Sequence, residues 1–177
     1  EAVIPATTVY ASNTSTLPIT KLAEASARPD QFIGLHFFSP VDRMGLVEII
    51  KGEKTSAAAL AVALDFVAKL RKTPIVVNDS RGFYTSRVFQ TLIHEGAAML
   101  AEGVPPAVIE NTAKAVGMPV GPLALLDELT FDLPLKIVDQ AIEQEGDRYV
   151  LPAGVAVLRK MKANGRSSKK EGAGFYD

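Results

Sequence analysis

The rhythm of apolar and polar positions changes along this chain. Up to about Asp79, short apolar runs alternate with helical stretches; beyond it the rhythm is helical almost to the end. Ile33, Leu35 and Phe37 alternate with Gly34, His36 and Phe38, the period of a strand, and Leu46, Glu48 and Ile50 alternate with Val47 and Ile49, a second strand. Residues 8–12 predict an earlier strand and residues 19–27 a short helix. Thr55 or Ser56 is placed to cap a helix reaching about Arg71, whose basic last turn suits the helix dipole. Pro74 is expected to stop that helix, with a strand at 75–77. Helices are then predicted over 83–101, 105–116, 122–129, 135–145 and 150–163, with proline near the start and glycine after the end of the second. The SSKKEG stretch near the C-terminus predicts a solvated loop. Strand–helix alternation followed by helices alone predicts an α/β layer over residues 1–80 and an all-α domain over 81–177.

Composition narrows the functional classes. The chain has 177 residues, 47% hydrophobic and 22% charged, enough for one domain or two small ones with real cores. A net charge of -1, without a basic run, argues against nucleic acid or an anionic membrane as partner. The absence of cysteine excludes disulfides, thiolate catalysis and a cysteine zinc site; it fits a reducing compartment, and a cytoplasmic location is the expectation. Two histidines, His36 and His94, are too few for a histidine-rich metal site. No signal peptide or membrane span is visible. The opening EAVIPATTVYASNTS lacks an initiator methionine and reads as the middle of something longer, so a fragment is expected.

The candidate chemistry centres on residues 33–50. If the two strands pair antiparallel about Asp42, His36 stands opposite Glu48, with Cβ atoms roughly 4.5–5.5 Å apart. A carboxylate there fixes the tautomer of an imidazole and stabilises its protonated form, as a general acid or base requires. The same spacing also describes a buried structural histidine beside an unrelated glutamate. Elsewhere, His94 and Glu95 in LIHEGAAML fall short of a zinc motif, because Ala98 occupies the second histidine position; an ordinary helix face is expected. Arg87 predicts a helix-surface ion pair, and Asp127 and Asp132 predict helix capping and hydrogen bonds between domains. No strand–GxGxxG–helix unit exists; GMPVGP follows no strand and predicts a helix–helix turn.

Four segments, LHFFSPVDRMGLVEII, NDSRGFYTSRV, GMPVGPLALLDE and GAGFYD, occur in that order and together resemble the 3-hydroxyacyl-CoA dehydrogenase family over essentially the whole chain. ASNTSTLPIT resembles the segment that precedes the catalytic histidine in that family, and RGFYTSRV resembles the multifunctional fatty-oxidation alpha subunits, where a hydratase part precedes the dehydrogenase. The resemblance implies the second half of a Rossmann-type NAD domain followed by a helical C-terminal domain, since the family's glycine fingerprint lies upstream of everything present. It implies oxidation of 3-hydroxyacyl-CoA to 3-ketoacyl-CoA with NAD. His36 is then the acid/base and Glu48 its carboxylate partner. Ser15 stands near the nicotinamide and the reacting oxygen, Asn13 supports that loop, and Ser39 stands where many relatives place an asparagine beside the cofactor. Many relatives carry GFxxNR; here Ser86 occupies the asparagine position, so either water or a neighbour such as Thr85 fills the gap, or activity is lower. Partners implied are an acyl-CoA substrate, another copy of the chain through the helical domain, and a thiolase subunit if a fatty-oxidation complex forms. Against this stands a non-catalytic reading, a helical dimerisation or acyl-CoA-contacting module, which has no need of the His36–Glu48 pair and Ser15.

Overall fold

The computed structural model of the chain describes residues 3–177. Two compact units divide it, Glu1–Val88 and Phe89–Asp177. The first holds a four-stranded sheet in the order β1 (Tyr10–Ser12), β2 (Phe32–Phe37), β3 (Leu46–Lys51), β4 (Thr73–Asn78). β1 and β2 run parallel, β2 and β3 antiparallel, β3 and β4 parallel. The β2–β3 register is the one the alternation predicts: Gly34 faces Ile50 and His36 faces Glu48.

Both faces of the two central strands are covered, so they read as nearly unbroken apolar runs. Odd-numbered Ile33, Leu35, Val47 and Ile49 pack with Ala63 and Val67 of helix α2 (Ala57–Lys69). Even-numbered Phe32 and Ile50 pack on the other face with Ile19 and Ala23 of helix α1 (Ile19–Ala23) and with Phe83. His36 and Glu48, also even-numbered, take this second face. Gly34 allows α1 to approach, since a Cβ there would sit 2.8 Å from Ile19 and from Ile50. α1 is held by Asp79, whose carboxylate accepts from the backbone N–H groups of Ile19 and Thr20 at 2.7 Å each. That satisfies two of the donors a helix start leaves orphaned.

Element ends differ from the periodicity in instructive ways. α1 stops at Ala23 because the next residues tighten into i→i−3 bonds, Ala25 to Leu22 and Ser26 to Ala23, ahead of Pro29. Ser56, not Thr55, caps α2 by accepting from Ala59 N–H at 3.1 Å. Thr55 instead donates its hydroxyl to Phe32 O at 2.7 Å and so ties the loop to β2. α2 ends at Lys69, and the turn falls at Arg71, whose φ is 57°. Pro74 therefore does not stop the helix; it lies inside β4, an outer strand, where a missing N–H is tolerated. The Lys72 ammonium donates to Val41 O and Met44 O, 2.6 Å each, and so braces the turn between β2 and β3.

Helix α3 (Thr85–Ala101) starts in the first unit and continues into the second. There it is followed by α4 (Pro106–Ala115), α5 (Pro122–Glu128), α6 (Asp132–Glu145) and α7 (Gly154–Ala163). Ile93, Ala97, Leu126, Phe131, Leu135, Val138, Val155 and Leu158 form its core. Two buried carboxylates organise the chain around that core. Glu110 accepts from Leu123 and Ala124 N–H at 2.8 and 3.1 Å, which caps α5 from α4. Asp127 accepts from Phe175 and Tyr176 N–H at 2.6 and 2.8 Å, so it pins the GAGFYD tail within its own unit. Asp132 pairs with Lys162 of α7. The SSKKEG stretch is not a solvated loop throughout: Ser168 is fully buried, its backbone pairs with Ala173, and its hydroxyl accepts from Glu171 N–H.

Gly34→Ala should cost about 1–3 kcal/mol, the usual penalty of overpacking a filled core. Gly45→Ala, with open space around the added methyl, should stay within about 0.5 kcal/mol of the parent. Urea unfolding of both variants checks this; equal midpoints would mean that α1 is not seated against β2 as described.

Candidate functional site

The candidate site is assembled from three pieces of the first unit: the C-terminal part of β2, the middle of β3, and the turn that opens α3. His36 Nδ1 lies 2.7 Å from Glu48 Oε2 across the β2–β3 pair. Both side chains are buried, Glu48 completely and His36 at 7% exposure. Phe38 and Phe83 flank the imidazole, with ring centroids 4.5 and 5.9 Å away. Gly82 and Phe83 both adopt positive φ, 73° and 50°. The backbone turns there, and the N–H groups of Tyr84 and Thr85 reach Glu48 Oε1 at 2.9 and 2.8 Å. The Thr85 hydroxyl donates to Glu48 Oε2 at 2.9 Å. One carboxylate therefore accepts four hydrogen bonds, two on each oxygen.

Those bonds decide the charge state. Burial pushes the Glu48 carboxyl up, but the bonds from His36, Thr85 and Tyr84 outweigh it and hold the group below the ordinary carboxylate value. Ionised Glu48 can only accept, so the hydrogen between the pair belongs to His36 Nδ1. Nε2 of the neutral imidazole then carries the lone pair and is left for whatever enters the site.

The other candidates fall into place unevenly. Asn13 follows β1, and its amide oxygen accepts from Phe37 N–H at 2.9 Å, next to His36 in sequence. Thr14 shapes the following turn, its hydroxyl accepting from Thr16 and Leu17 N–H. Ser15 and Ser39 are exposed, in the loops after β1 and β2. Ser86 is half-buried in the first turn of α3, and among the described residues no hydrogen bond joins it to His36 or Glu48. Arg87 donates to Ser80 Oγ at 3.1 Å. His94 lies in the second unit, where burial lowers its pKa and Glu95 partly counters that. Among the described residues no cluster could hold a metal ion, and no helix is long and apolar enough to cross a membrane. Periodicity did not single out the Tyr84 and Thr85 amides, because backbone donors carry no residue signature. Thr85 does carry one, and its hydroxyl goes to Glu48.

Comparison with known proteins gives a consistent picture. Residues 1–80 match the family description "3-hydroxyacyl-CoA dehydrogenase, NAD binding domain", and residues 82–177 match "3-hydroxyacyl-CoA dehydrogenase, C-terminal domain". A fatty acid oxidation complex subunit alpha of Shewanella amazonensis is 44% identical over 169 residues, covering 96% of this chain and 24% of that protein. One from Shewanella halifaxensis is also 44% identical over 169 residues, 96% of this chain and 23% of that protein. This chain thus spans about a quarter of the length of these relatives. Among solved structures, (S)-3-hydroxybutyryl-CoA dehydrogenase from Ralstonia eutropha superposes with a TM-score of 0.89 at 37% identity, over 99% of this chain and 62% of that one. The 3-hydroxybutyryl-CoA dehydrogenase of Escherichia coli gives 0.84 at 31% identity, over 94% and 36%.

Because the folded Glu48 value is depressed, its contribution to stability is complete above the unfolded carboxylate value of about 4.3 and is lost as pH falls through the folded value. Glu48→Gln, whose amide nitrogen cannot accept and so leaves buried donors unpaired, should therefore cost about 1–3 kcal/mol at pH 7 and flatten the fall in stability below about pH 4.3. Denaturant unfolding from pH 7 to pH 3 measures both; parallel curves for parent and variant would contradict the bonding described.

Proposed function

The chain belongs to the 3-hydroxyacyl-CoA dehydrogenase family, and from that premise we propose that its first unit supplies the acid/base of an NAD-dependent oxidation of 3-hydroxyacyl-CoA to 3-ketoacyl-CoA in fatty acid oxidation. The observation that carries the reading is the 2.7 Å bond between His36 Nδ1 and Glu48. It leaves the lone pair on Nε2 of a ring flanked by Phe38 and Phe83.

NAD supplies the hydride acceptor when bound. His36 Nε2 takes the proton from the 3-hydroxyl as hydride leaves C3, and returns it in the reverse direction. Glu48 stays ionised and stabilises the imidazolium that forms. Ser15 and Ser86 are assigned to the reacting oxygen, which each can polarise through one hydroxyl. Asn13 and Ser39 are assigned to the nicotinamide side. The parallel strands β1 and β2 end in the loops that carry Asn13, Ser15 and Ser39, and carboxyl ends of strands are where α/β sheets receive ligands. The residues present therefore fit the nicotinamide end of NAD. They do not fit its pyrophosphate, because no glycine-rich turn leads from a strand into a helix in these 177 residues.

Residues 1–80 are assigned to the carboxyl half of the NAD domain and 81–177 to the helical domain, through which the protein self-associates. A place in a fatty-oxidation complex, with a thiolase subunit as partner and a cytoplasmic location, completes the assignment. The 44% identity to proteins named as its alpha subunit supports it.

Two experiments test this reading. In an enzyme joining these residues to a complete NAD-binding half, His36→Ala should lower kcat/KM by about 100- to 10,000-fold, the range for loss of a general base. Ser86→Ala should cost about tenfold or more, below the 100- to 1000-fold of a fully engaged oxyanion donor. Activity unchanged in His36→Ala would end the assignment. Calorimetry on the 177 residues alone should detect no NAD binding at micromolar concentrations, and no turnover is expected from them; micromolar affinity would show that the cofactor is held without the missing cradle.

A further inference from the structure

The turn that opens α3 has a function beyond starting a helix. Both of its backbone donors, from Tyr84 and Thr85, land on the same carboxylate oxygen of Glu48, Oε1. A carboxylate anchored at one oxygen can still pivot about that oxygen through coupled changes in its side-chain torsions, which swings the other oxygen off its partner. The terminal torsion of glutamate is broad, so little in the side chain itself resists that swing. The second oxygen, Oε2, is the one His36 Nδ1 uses, and besides His36 its donor is the Thr85 hydroxyl at 2.9 Å.

We propose that Thr85 is a positioning residue for the acid/base: its hydroxyl locks the second oxygen of Glu48 against His36, and so keeps the imidazole in the tautomer with hydrogen on Nδ1 and the lone pair on Nε2. This rests on the reading of His36 and Glu48 as a catalytic pair. A valine has the same shape and no donor. With it, Oε2 keeps only the bond from His36, the carboxylate selects the Nδ1–H tautomer less strongly, and the Nε2–H tautomer, which cannot act as a base at that atom, gains population. Serine keeps the donor and should keep the lock. Three elements are thereby tied to one proton: β2 through His36, β3 through Glu48, and α3 through a side chain as well as its backbone.

The tautomer is read directly by nitrogen-15 NMR of the ring nitrogens in the 177-residue chain, where only His36 and His94 contribute. His94, in the other unit, serves as an internal reference. At a pH where His36 is neutral, the parent and Thr85→Ser should show His36 overwhelmingly as Nδ1–H. In Thr85→Val the ratio should shift measurably toward Nε2–H, because the carboxylate that selects Nδ1–H has lost one of its two holds on Oε2. If Thr85→Val does not fold, as judged by circular dichroism, Thr85→Ala gives the same reading. A ratio unchanged in the valine or alanine variant, with or without a lower melting temperature, would reduce Thr85 to a structural residue and overturn the proposal. Glu48→Gln separates this from failure of the underlying pair. A tautomer ratio indifferent to Glu48→Gln would sink the pair itself. A ratio that responds to Glu48→Gln but not to Thr85→Val would sink only the role of Thr85.

Discussion

One buried negative charge organises the α/β unit. Glu48 is fully enclosed on β3, where an unpaired carboxylate would be strongly unfavourable. It is tolerated because four donors converge on it: a side chain from the neighbouring strand, two backbone amides and a hydroxyl from the turn that opens α3. Each donor must be in place for the others to matter, since a half-satisfied buried charge is worse than none. The register of β2 against β3, the positive φ of Gly82 and Phe83, and the entry of α3 are consequently not independent choices. They are the conditions under which this carboxylate can remain ionised in the interior.

The same enclosure gives the histidine its chemical direction. An isolated imidazole exchanges hydrogen between its two nitrogens; one hydrogen-bonded to an ionised carboxylate does not do so freely. The aromatic rings of Phe38 and Phe83 border the site with surfaces that neither donate nor accept strongly. Polarity is thus concentrated on the Glu48 side of the ring, and reactivity at the opposite nitrogen.

Much of this was legible in the residues. Alternation alone placed His36 and Glu48 on one face of two paired strands, because a period of two permits only that face or the opposite one, and the apolar neighbours Ile33, Leu35, Val47 and Ile49 demand burial. Element ends were less legible. Pro74 reads as a helix stop, yet it lies within β4, because whether a proline is tolerated in a strand depends on which strand has an open side, and that is a property of the sheet. SSKKEG reads as solvated, yet Ser168 is buried by a local turn and a single bridge to Ala173, contacts with no periodic signature. Thr85 was visible only as a small polar neighbour of Ser86; that its hydroxyl turns toward Glu48 follows from the positive-φ turn before it.

Carboxylates that collect backbone amides recur in both units, and comparing them shows what is particular about Glu48. Asp79 takes the first amides of α1, Glu110 those of α5, and Asp127 those of the C-terminal tail. In each of these the donors named are backbone N–H groups, so the acid serves as a fastener: it satisfies orphaned donors and holds one segment to another. Glu48 uses the same device on one oxygen only. Its other oxygen meets two side chains, and one of them can give up a proton. Under the proposed function, the fastener becomes part of an acid/base because half of its capacity is left to a titratable partner. In this fold that division is set by where the α3 turn delivers its amides.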